Sequence, residues 1–342
     1  MHMVLDGQSS QSIALAAQAL QRGDLIGLPT ETVYGLAADA CNAEAVGKIF
    51  VMKGRPSDHP LIVHVADIES AMRFTSDIPD FAQRLIDAFW PGPLTLIFPR
   101  ITDVATAAAG GQNSVGIRCP SHPIARQILL AAQDLGVWGV AAPSANKFGR
   151  VSPTTAAHVC EEFGHALIVV DGGGCDVGIE SAIVDCTRGR PVLLRPGVLT
   201  LEQLSIAAGQ EVLPQSAEFV QNLSAPRTPG TLAAHYAPKA KLFLMDKNAL
   251  AGELSRRKGN FDLGIWSRSV PDSQLKEPNR NPPNVYWKQM PHDPIQCAHV
   301  LFAQLRDFDA LGVQQIWVEI PPAESAWEGI FDRLRRAETT DR

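Results

Sequence analysis

Short apolar runs alternate with amphipathic helical segments along most of this chain, and this alternation restricts the fold more than any other feature. Strand candidates lie at 25–28, 61–65, 94–98, 114–118, 137–142, 167–170 and 182–185, and helices are predicted at 11–21, 81–89 and 124–133. Such alternation favours a sheet layered with helices over an all-helical or all-β fold. We therefore predict an α/β fold built on a twisted, mixed sheet.

The pattern loosens between about 201 and 238, where Ser, Gln, Pro, Thr and Gly dominate and the run APRTPG at 225–230 is too broken for a helix or strand. Beyond it, strands are predicted at 241–245, 263–266 and 316–320, helices at 294–311 and 330–337, and a polar stretch at 277–284. A chain of 342 residues is long for one core. We predict a first domain over 1–205, a linker over 206–238 and a smaller α/β domain over 239–342.

Composition limits the functional classes. The net charge of −6 argues against a protein that binds nucleic acid or anionic membrane through its overall field. The sequence has no run of about 18 apolar residues and no secretion-signal pattern at its start. Six cysteines lack the spacing of zinc ligands and predict no metal site or disulfide framework. We expect a soluble, cytoplasmic protein whose anion sites are local.

Lys53 and Arg55 are the first candidate site. Pro56 biases Arg55 toward an extended backbone, in which residues two apart point the same way, so both cations are predicted to face one spot. A guanidinium beside an ammonium group suits a polyphosphate. The alternative is a pair of cations on a solvated surface.

Two strand ends carry polar groups. The run PTETVYG at 29–35 follows the first strand, and ligands often lie at such ends, although Thr30 or Thr32 would also serve as a helix cap. After the strand at 137–142, Ser144 and Asn146 are predicted to face one pocket, with a simple turn as the alternative. Ser152-Pro153 predicts a helix start, whose free N–H groups attract anions.

Arg118 and His64 complete the candidates from position alone. Arg118 ends the strand at 114–118, so its guanidinium is predicted at the edge of the sheet, either to bind a carboxylate or in a surface ion pair. His64 lies in an apolar run, which is typical of a buried, hydrogen-bonded histidine. Asp171 and the three glycines after it do not match a Walker phosphate loop.

Several motifs occur together in a recognisable order: PTETVYGL at 29–36, KGRP at 53–56, PL at 60–61, APSAN at 142–146, GIES at 178–181 and LRPG at 194–197. They resemble the YrdC family of threonylcarbamoyl-AMP synthases. PG at 229–230, HYAP at 235–238, EIPP at 319–322 and DRL at 332–334 resemble the linker and C-terminal domain of its long, two-domain form. The resemblance covers essentially the whole chain. It implies a YrdC-like catalytic domain and a Rossmann-like C-terminal domain.

The resemblance implies a nucleotidyltransferase that forms threonylcarbamoyl-adenylate and pyrophosphate from L-threonine, bicarbonate and ATP, for modification of the tRNA adenosine beside the anticodon. The implied catalytic residues are Lys53, Arg55, Ser144 and Asn146. The implied ATP contacts are these four with His59, Ser114, Ala142, Ser152, Arg195 and Tyr236. The implied threonine contacts are Thr32, His64, Arg118, Ser144 and Ser181.

Mg²⁺ is expected to enter with ATP, held by phosphates and water, with no metal site of the protein's own. The expected partners are the substrates and the downstream threonylcarbamoyl transferase machinery, without membrane; a transient tRNA contact is left open. Where many relatives have Asn, this chain has His59, which would add pH dependence. The linker at 229–234 lacks the Met and basic residues often found there. The alternatives are an RNA-binding module without catalysis and a carbamoyltransferase-like domain.

Overall fold

The computed structural model describes residues 3–215, 226–229, 235–257, 261–271 and 285–339. The chain divides into two compact units, one formed by Met1–Phe148 with Ser152–Thr231 and the other by Gly149–Val151 with Leu232–Arg342. Nothing in the sequence pattern indicated that 149–151 would join the second unit. The polar stretch at 277–284 lies outside the described residues.

The first unit contains a large sheet and seven α-helices within its described residues. Its strands are β1 (Met3–Asp6), β2 (Ile26–Leu28), β3 (Gly35–Asp39), β4 (Ile62–His64), β5 (Leu94–Pro99), β6 (Ser114–Arg118), β7 (Val140–Ala141), β8 (Ile168–Asp171), β9 (Ala182–Asp185), β10 (Val192–Arg195) and β11 (Leu213–Pro214). Its helices are α1 (Ser10–Gln21), α2 (Ala43–Lys53), α3 (Ile68–Ala71), α4 (Asp80–Phe89), α5 (Pro123–Gln133), α6 (Ala156–Phe163) and α7 (Leu201–Ala208).

The strands join in the order β1-β8-β2-β3-β7-β4-β6-β5-β9-β10-β11. Pairing is mixed: β4 and β6 are parallel, whereas β7 runs antiparallel to β4 and β5 antiparallel to β6. The predicted mixed sheet is therefore confirmed. Because β4 and β6 are parallel, their carboxyl ends lie at one edge of the sheet, and the end of β7 lies at the opposite edge.

The two faces of this sheet are covered differently. One face packs its apolar side chains, including Val63 and Ile117, into the main core with residues of α2, α4 and α7. On the other face, α1 and α5 cover the part around β2 and β3. Over β4, β5, β9, β10 and β11, that second face carries a separate cluster made of strand residues alone: Ile62, Ile97, Ile183, Val192, Leu194 and Leu213. No helix of the described residues contributes to this buried cluster, and for that reason alone we call the region the uncovered face.

Some elements depart from the sequence-based expectations. The strand at 137–142 shortens to Val140–Ala141, and the elements of this unit that were not predicted include β1, β3, α2, α3, α6, β10 and β11. Residues 201–208, where we predicted loosening of the pattern, form α7, which begins at a capping box between Thr200 and Gln203. The capping box stabilises the first turn of this helix, although the composition of the stretch had indicated a loop.

The second unit has a parallel sheet in the order β12-β15-β13-β14, built from β12 (Lys241–Met245), β13 (Leu263–Ser267), β14 (Val285–Gln289) and β15 (Gln315–Glu319). Within its described residues the α-helices are α8 (Lys247–Arg256), α9 (Pro294–Ala310) and α10 (Glu328–Ala337). Parallel strands joined by helices confirm the predicted second α/β domain. The buried Glu319 carboxylate accepts hydrogen bonds from Ser267, Arg268 and Ser269, and thereby fixes the loop after β13 to the end of β15.

Candidate active site

Strand register places several candidate residues on the uncovered face. His64 pairs with Arg118, Ile97 pairs with Gly116, and Thr95 and Arg195 both pair with Ile183. Residues paired across strands, or two apart along one strand, lie on the same face of a sheet. His64, Arg118 and Thr95 therefore share the uncovered face, and a register shift between Leu193 and Arg195 brings Arg195 to the same face.

The way in which α2 ends determines the positions of Lys53 and Arg55. Lys53 is its last residue, and Gly54 caps the helix in the left-handed conformation with φ of 64°. Backbone bonds from Gly54 to Val51 and from Arg55 to Phe50 close the end in a Schellman arrangement. The extended segment from which we predicted that both side chains point the same way does not include Lys53, because α2 continues to that residue and the Gly54 cap then redirects the chain.

The two cations are nevertheless close and both are buried. The Nζ of Lys53 donates to the backbone carbonyls of Ser144, at 2.5 Å, and Asn146. Arg55 donates to the carbonyl of Pro60 at 3.1 Å, and its guanidinium lies 5.7 Å from the centre of the Phe148 ring. Pro60 precedes β4 and Ser144 follows β7, so both cations lie at the same edge of the sheet.

Burial, followed by the nearby charge of Arg55, lowers the pKa of Lys53 to about 7. The carboxylates of Glu162 and Glu180 act in the opposite direction. A polyanion bound beside this buried ammonium group would stabilise its charged form.

Ser152 does not begin a helix. Helix α6 begins at Ala156, and Thr155 caps it by accepting from the backbone N–H of His158. Ser152 is fully buried and donates to the Glu180 carboxylate at 2.6 Å. Our prediction of a helix N-terminus at Ser152-Pro153 is therefore wrong by three residues, because Thr155 provides the side-chain cap.

Arg118 is buried rather than exposed at the edge of the sheet. Its Nη1 donates to Thr32 Oγ1 at 2.7 Å, its Nε donates to the Gly92 carbonyl at 3.2 Å, and its Nη2 lies 2.7 Å from Glu31 Oε1. The surface ion pair that we considered is thus replaced by a buried one. No helix follows Thr30 or Thr32 directly, since β3 begins at Gly35, so neither residue is a helix cap.

His64 is buried and its Nδ1 lies 3.3 Å from the Ile62 carbonyl. Burial, and then the charge of Arg118, lower the pKa of His64 to about 3. The imidazole is therefore neutral near pH 7. A buried, hydrogen-bonded histidine is what its position predicted, and its register beside Arg118 also places it on the uncovered face.

Ser181 and Arg195 lie together. Ser181 Oγ is 2.7 Å from Thr95 Oγ1, and Arg195 donates to both the carbonyl and the hydroxyl of Ser181. The Nη1 of Arg195 also donates to the carbonyl of Pro229 at 3.1 Å. The structure therefore brings Arg195, predicted to contact nucleotide, beside Ser181, predicted to contact threonine.

Residues 226–229 lie against the same face. Arg227 forms an ion pair with Asp58 at 2.9 Å and exchanges two hydrogen bonds with Gln112. Thr228 and Pro229, together with Ile62, Thr95, Ser114 and Ile183, line a small cavity over β4, β5 and β6. The predicted contact Ser114 thus faces a cavity that this segment partly closes.

Three other residues predicted to contact ATP each have different neighbours in the structure: Ala142, Asn146 and His59. Ala142 is buried and donates its N–H to the Ile62 carbonyl, while Asn146 is buried and donates to the carbonyl of Lys147. His59 is half-buried beside the Phe148 ring, and burial, then the charge of Arg55, lower its pKa.

Tyr236 belongs to the second unit. It is buried there with a left-handed backbone, φ 62°, and its ring stacks on Phe302 with a centroid distance of 5.4 Å. The guanidinium of Arg333 lies 5.4 Å from the same ring. A tyrosine held in a strained conformation by two neighbours has a fixed position within that unit. Its contact with nucleotide stays a prediction.

Sequence reasoning did not select three buried carboxylates. Glu31 pairs with Arg118, Glu180 accepts from Ser152, and Glu162 accepts from the backbone N–H of Lys147. Glu31 and Glu180 lie within the motifs PTETVYGL and GIES, so an acidic residue inside a motif beside a strand was the available signal. Glu162 lies in the unpredicted α6, where no such signal exists.

The described residues contain no group of three or more His, Cys, Asp or Glu side chains placed to hold a metal ion. None of the helices in the described ranges is long and apolar enough to cross a bilayer.

Comparison with known proteins decides the family. A family model described as "Telomere recombination" matches residues 18–197, and one described as "Threonylcarbamoyl-AMP synthase, C-terminal domain" matches residues 199–338. The threonylcarbamoyl-AMP synthase of Pyrococcus abyssi is 35% identical, over 95% of this chain and 93% of the relative. The chain belongs to the threonylcarbamoyl-AMP synthase family.

A second relative and a solved structure give the extent of the threonylcarbamoyl-AMP synthase match. The enzyme of that name from Schizosaccharomyces pombe is 33% identical, over 96% of this chain and 89% of the relative. The crystal structure of Pyrococcus abyssi Sua5 complexed with L-threonine superposes with a TM-score of 0.84 at 33% identity, covering 96% of this chain and 94% of that one. The chain therefore has the long, two-domain form, and it is an adenylyl-transferring enzyme rather than a non-catalytic RNA-binding module.

Proposed function

We propose that this protein joins L-threonine, bicarbonate and ATP into threonylcarbamoyl-adenylate and releases pyrophosphate. One observation carries the proposal: two buried cations lie at one edge of the sheet, and a buried arginine lies on the uncovered face near the other edge. Strand β4 separates these edges by three residues, roughly 10 Å at about 3.3 Å per residue. A triphosphate at the first edge and an amino acid at the second would bring their reacting groups together.

The reaction needs no protein nucleophile. The threonine amine attacks the carbon of bicarbonate and water leaves, which gives N-carboxy-threonine. An oxygen of the new carboxylate then attacks the α-phosphorus, and the bond to pyrophosphate breaks. Such a transfer depends on positioning and on stabilising the developing charge, for which cations, hydroxyls and amides suffice.

Each group of residues has a role in this scheme. Lys53 and Arg55, with Ser144 and Asn146, bind the phosphates, and His59, Ser114, Ala142, Ser152, Arg195 and Tyr236 are the further ATP contacts. Arg118 binds the threonine carboxylate, with Thr32, His64, Ser144 and Ser181 around the rest of the amino acid. The buried position of Arg118 and its bond to Thr32 support this assignment.

Mg²⁺ would enter with ATP and neutralise charge on the transferring phosphates. It keeps several waters and binds substrate phosphates readily. The buried carboxylates of this site fit that arrangement, since Glu31 is paired with Arg118 and Glu180 with Ser152. The downstream threonylcarbamoyl transferase would receive the adenylate for tRNA modification, in the cytoplasm.

We further propose that the linker acts as a lid that keeps water from the labile carbamate and adenylate. The contacts of Arg227 and Pro229 with the uncovered face support this role. Deleting 229–238 is expected to increase release of free adenylate and lower product yield. Unchanged synthesis and leakage in the deletion variant would contradict the lid.

The decisive experiment measures pyrophosphate release from ATP while threonine and bicarbonate are omitted in turn. Dependence on both substrates is the expected result, and dependence on carbamoyl phosphate would instead indicate a carbamoyltransferase. Replacing Lys53 or Arg55 with Ala removes a charge-assisted contact of roughly 1.5–3 kcal/mol, so turnover should fall ten-fold or more. An unchanged rate in both variants would remove them from the site.

A further inference from the structure

The proposed reaction gives a role to Arg118 but none to Glu31, with which Arg118 forms an ion pair. Both side chains are almost wholly buried, with relative exposures of 5% and 4%, and their atoms Oε1 and Nη2 lie 2.7 Å apart. Burying two charges is costly unless they compensate each other. The pair is therefore an electrically neutral unit inside the proposed amino-acid site.

Arg118 keeps donor capacity in this arrangement. An arginine side chain has five N–H groups. The described contacts with Gly92, Thr32 and Glu31 account for three of them. Two N–H groups remain for a ligand, which is what a carboxylate needs for bidentate binding.

The neighbouring histidine adds no charge. His64 pairs with Arg118 in the strand register, and its low pKa leaves the imidazole neutral near pH 7. Burial raises the pKa of Glu31, but the charge and hydrogen bond of Arg118 outweigh this effect, so the carboxyl is ionised. Of these neighbours, Glu31 is therefore the group whose charge compensates that of Arg118.

We propose that Glu31 is a specificity-determining residue, which makes the Arg118 site select a zwitterionic α-amino acid over a simple carboxylate. A ligand with both a carboxylate and an ammonium group adds no net charge beside the neutral pair. A monoanionic carboxylate places a second negative charge near the buried carboxylate of Glu31. This inference rests on the proposed threonine site and adds the residue that sets its charge selectivity.

The test compares two ligands of nearly the same shape in the full-length protein. Calorimetry or ligand-induced thermal shift would give the affinity of L-threonine and of 2,3-dihydroxybutanoate, in which a hydroxyl replaces the ammonium group. We expect the wild type to prefer threonine by at least ten-fold. In Glu31→Gln, which leaves Arg118 uncompensated, this preference should fall by at least ten-fold.

Two variants separate selectivity from simple damage. Glu31→Asp keeps the charge and should retain most of the preference for threonine. Thr32→Val removes a hydrogen bond to Arg118 without changing charge, so it should weaken both ligands and keep their ratio. Because the ratio is independent of the folded fraction, a partly unfolded Glu31→Gln sample still gives a valid answer.

The outcomes distinguish this inference from the proposed function. If the wild type binds threonine but Glu31→Gln keeps the same ratio, or if the wild type binds both ligands equally, Glu31 does not set selectivity. If the wild type binds neither ligand, with or without ATP, the proposed threonine site is wrong and the inference falls with it.

Discussion

Lys53 is a buried ammonium group whose charge changes near neutral pH. Because its pKa is lowered to about 7, the cationic form in the free protein is lost as the pH rises through this value. ATP phosphates beside the group would favour the protonated form. Binding of the nucleotide should therefore draw a proton onto the protein.

We expect ATP binding at pH 7.5 to be accompanied by proton uptake at Lys53. Titration calorimetry in two buffers with different ionisation enthalpies measures this uptake directly. Lys53→Arg, whose guanidinium stays charged, should show less uptake. Equal uptake in the two proteins would mean that Lys53 is already fully protonated before ATP binds.

His64 should not titrate in the physiological range. Its pKa of about 3 keeps the imidazole neutral from pH 5 to pH 8, because its burial and the charge of Arg118 both disfavour the imidazolium form. Threonine affinity should therefore be constant over this range. An inflection near pH 6.5 that disappears in His64→Asn would show that the ring is protonated in the native protein.

At the scale of elements, the end of α2 fixes the direction of Arg55. Gly54 has a left-handed backbone, which costs other L-residues roughly 1–2 kcal/mol. Gly54→Ala should lower the free energy of unfolding by about that amount and weaken ATP binding, as measured by urea denaturation and calorimetry.

Gly47 provides the matched control, since it lies within the same helix and an added Cβ would meet no other atom within 4 Å. Gly47→Ala should stabilise the helix by roughly 0.5–1 kcal/mol and leave ATP binding unchanged. If both variants lose ATP affinity equally, the cap has no special role.

Some helices and strands could be predicted from their sequences, and others could not. Strands β6 and β9 were predicted with their observed bounds because apolar residues fill short runs between clear turn residues. Helix α2 was missed, although Asn42 caps it and Gly54 ends it, because its buried face is made of small residues such as Ala45 as well as large ones. The convergence of Lys53 with Ser144 needed the antiparallel pairing of β7, which no local pattern encodes.

At the scale of the whole molecule, each unit has its own apolar core. The stability of the second unit depends also on the carboxylate of Glu319. Burial raises the pKa of Glu319, but hydrogen bonds from Ser267, Ser269 and Arg268 outweigh this and hold it below its usual value. The charged form therefore stabilises this unit above about pH 4.5, and that stabilisation is lost as the pH falls through the lowered pKa.

Glu319→Gln should selectively destabilise the second unit, by roughly 1–3 kcal/mol, because amide hydrogens would face groups that need an acceptor. Scanning calorimetry should show one transition at lower temperature, while ATP still raises the temperature of the other. The exposed Glu324→Gln is the control and should leave both transitions in place. A single transition that shifts as a whole would mean that the units unfold together.

Residues 226–229 also have a consequence for handling the protein. Thr228 and Pro229 line a cavity together with isoleucine side chains of β4, β5 and β9, and the apolar cluster formed by these isoleucines includes no residue of a described helix. A fragment ending before Pro226 would expose more of this apolar patch to solvent, and such patches promote self-association. Shortened forms of the chain should therefore precipitate at lower concentration than the intact protein, whatever their effect on turnover.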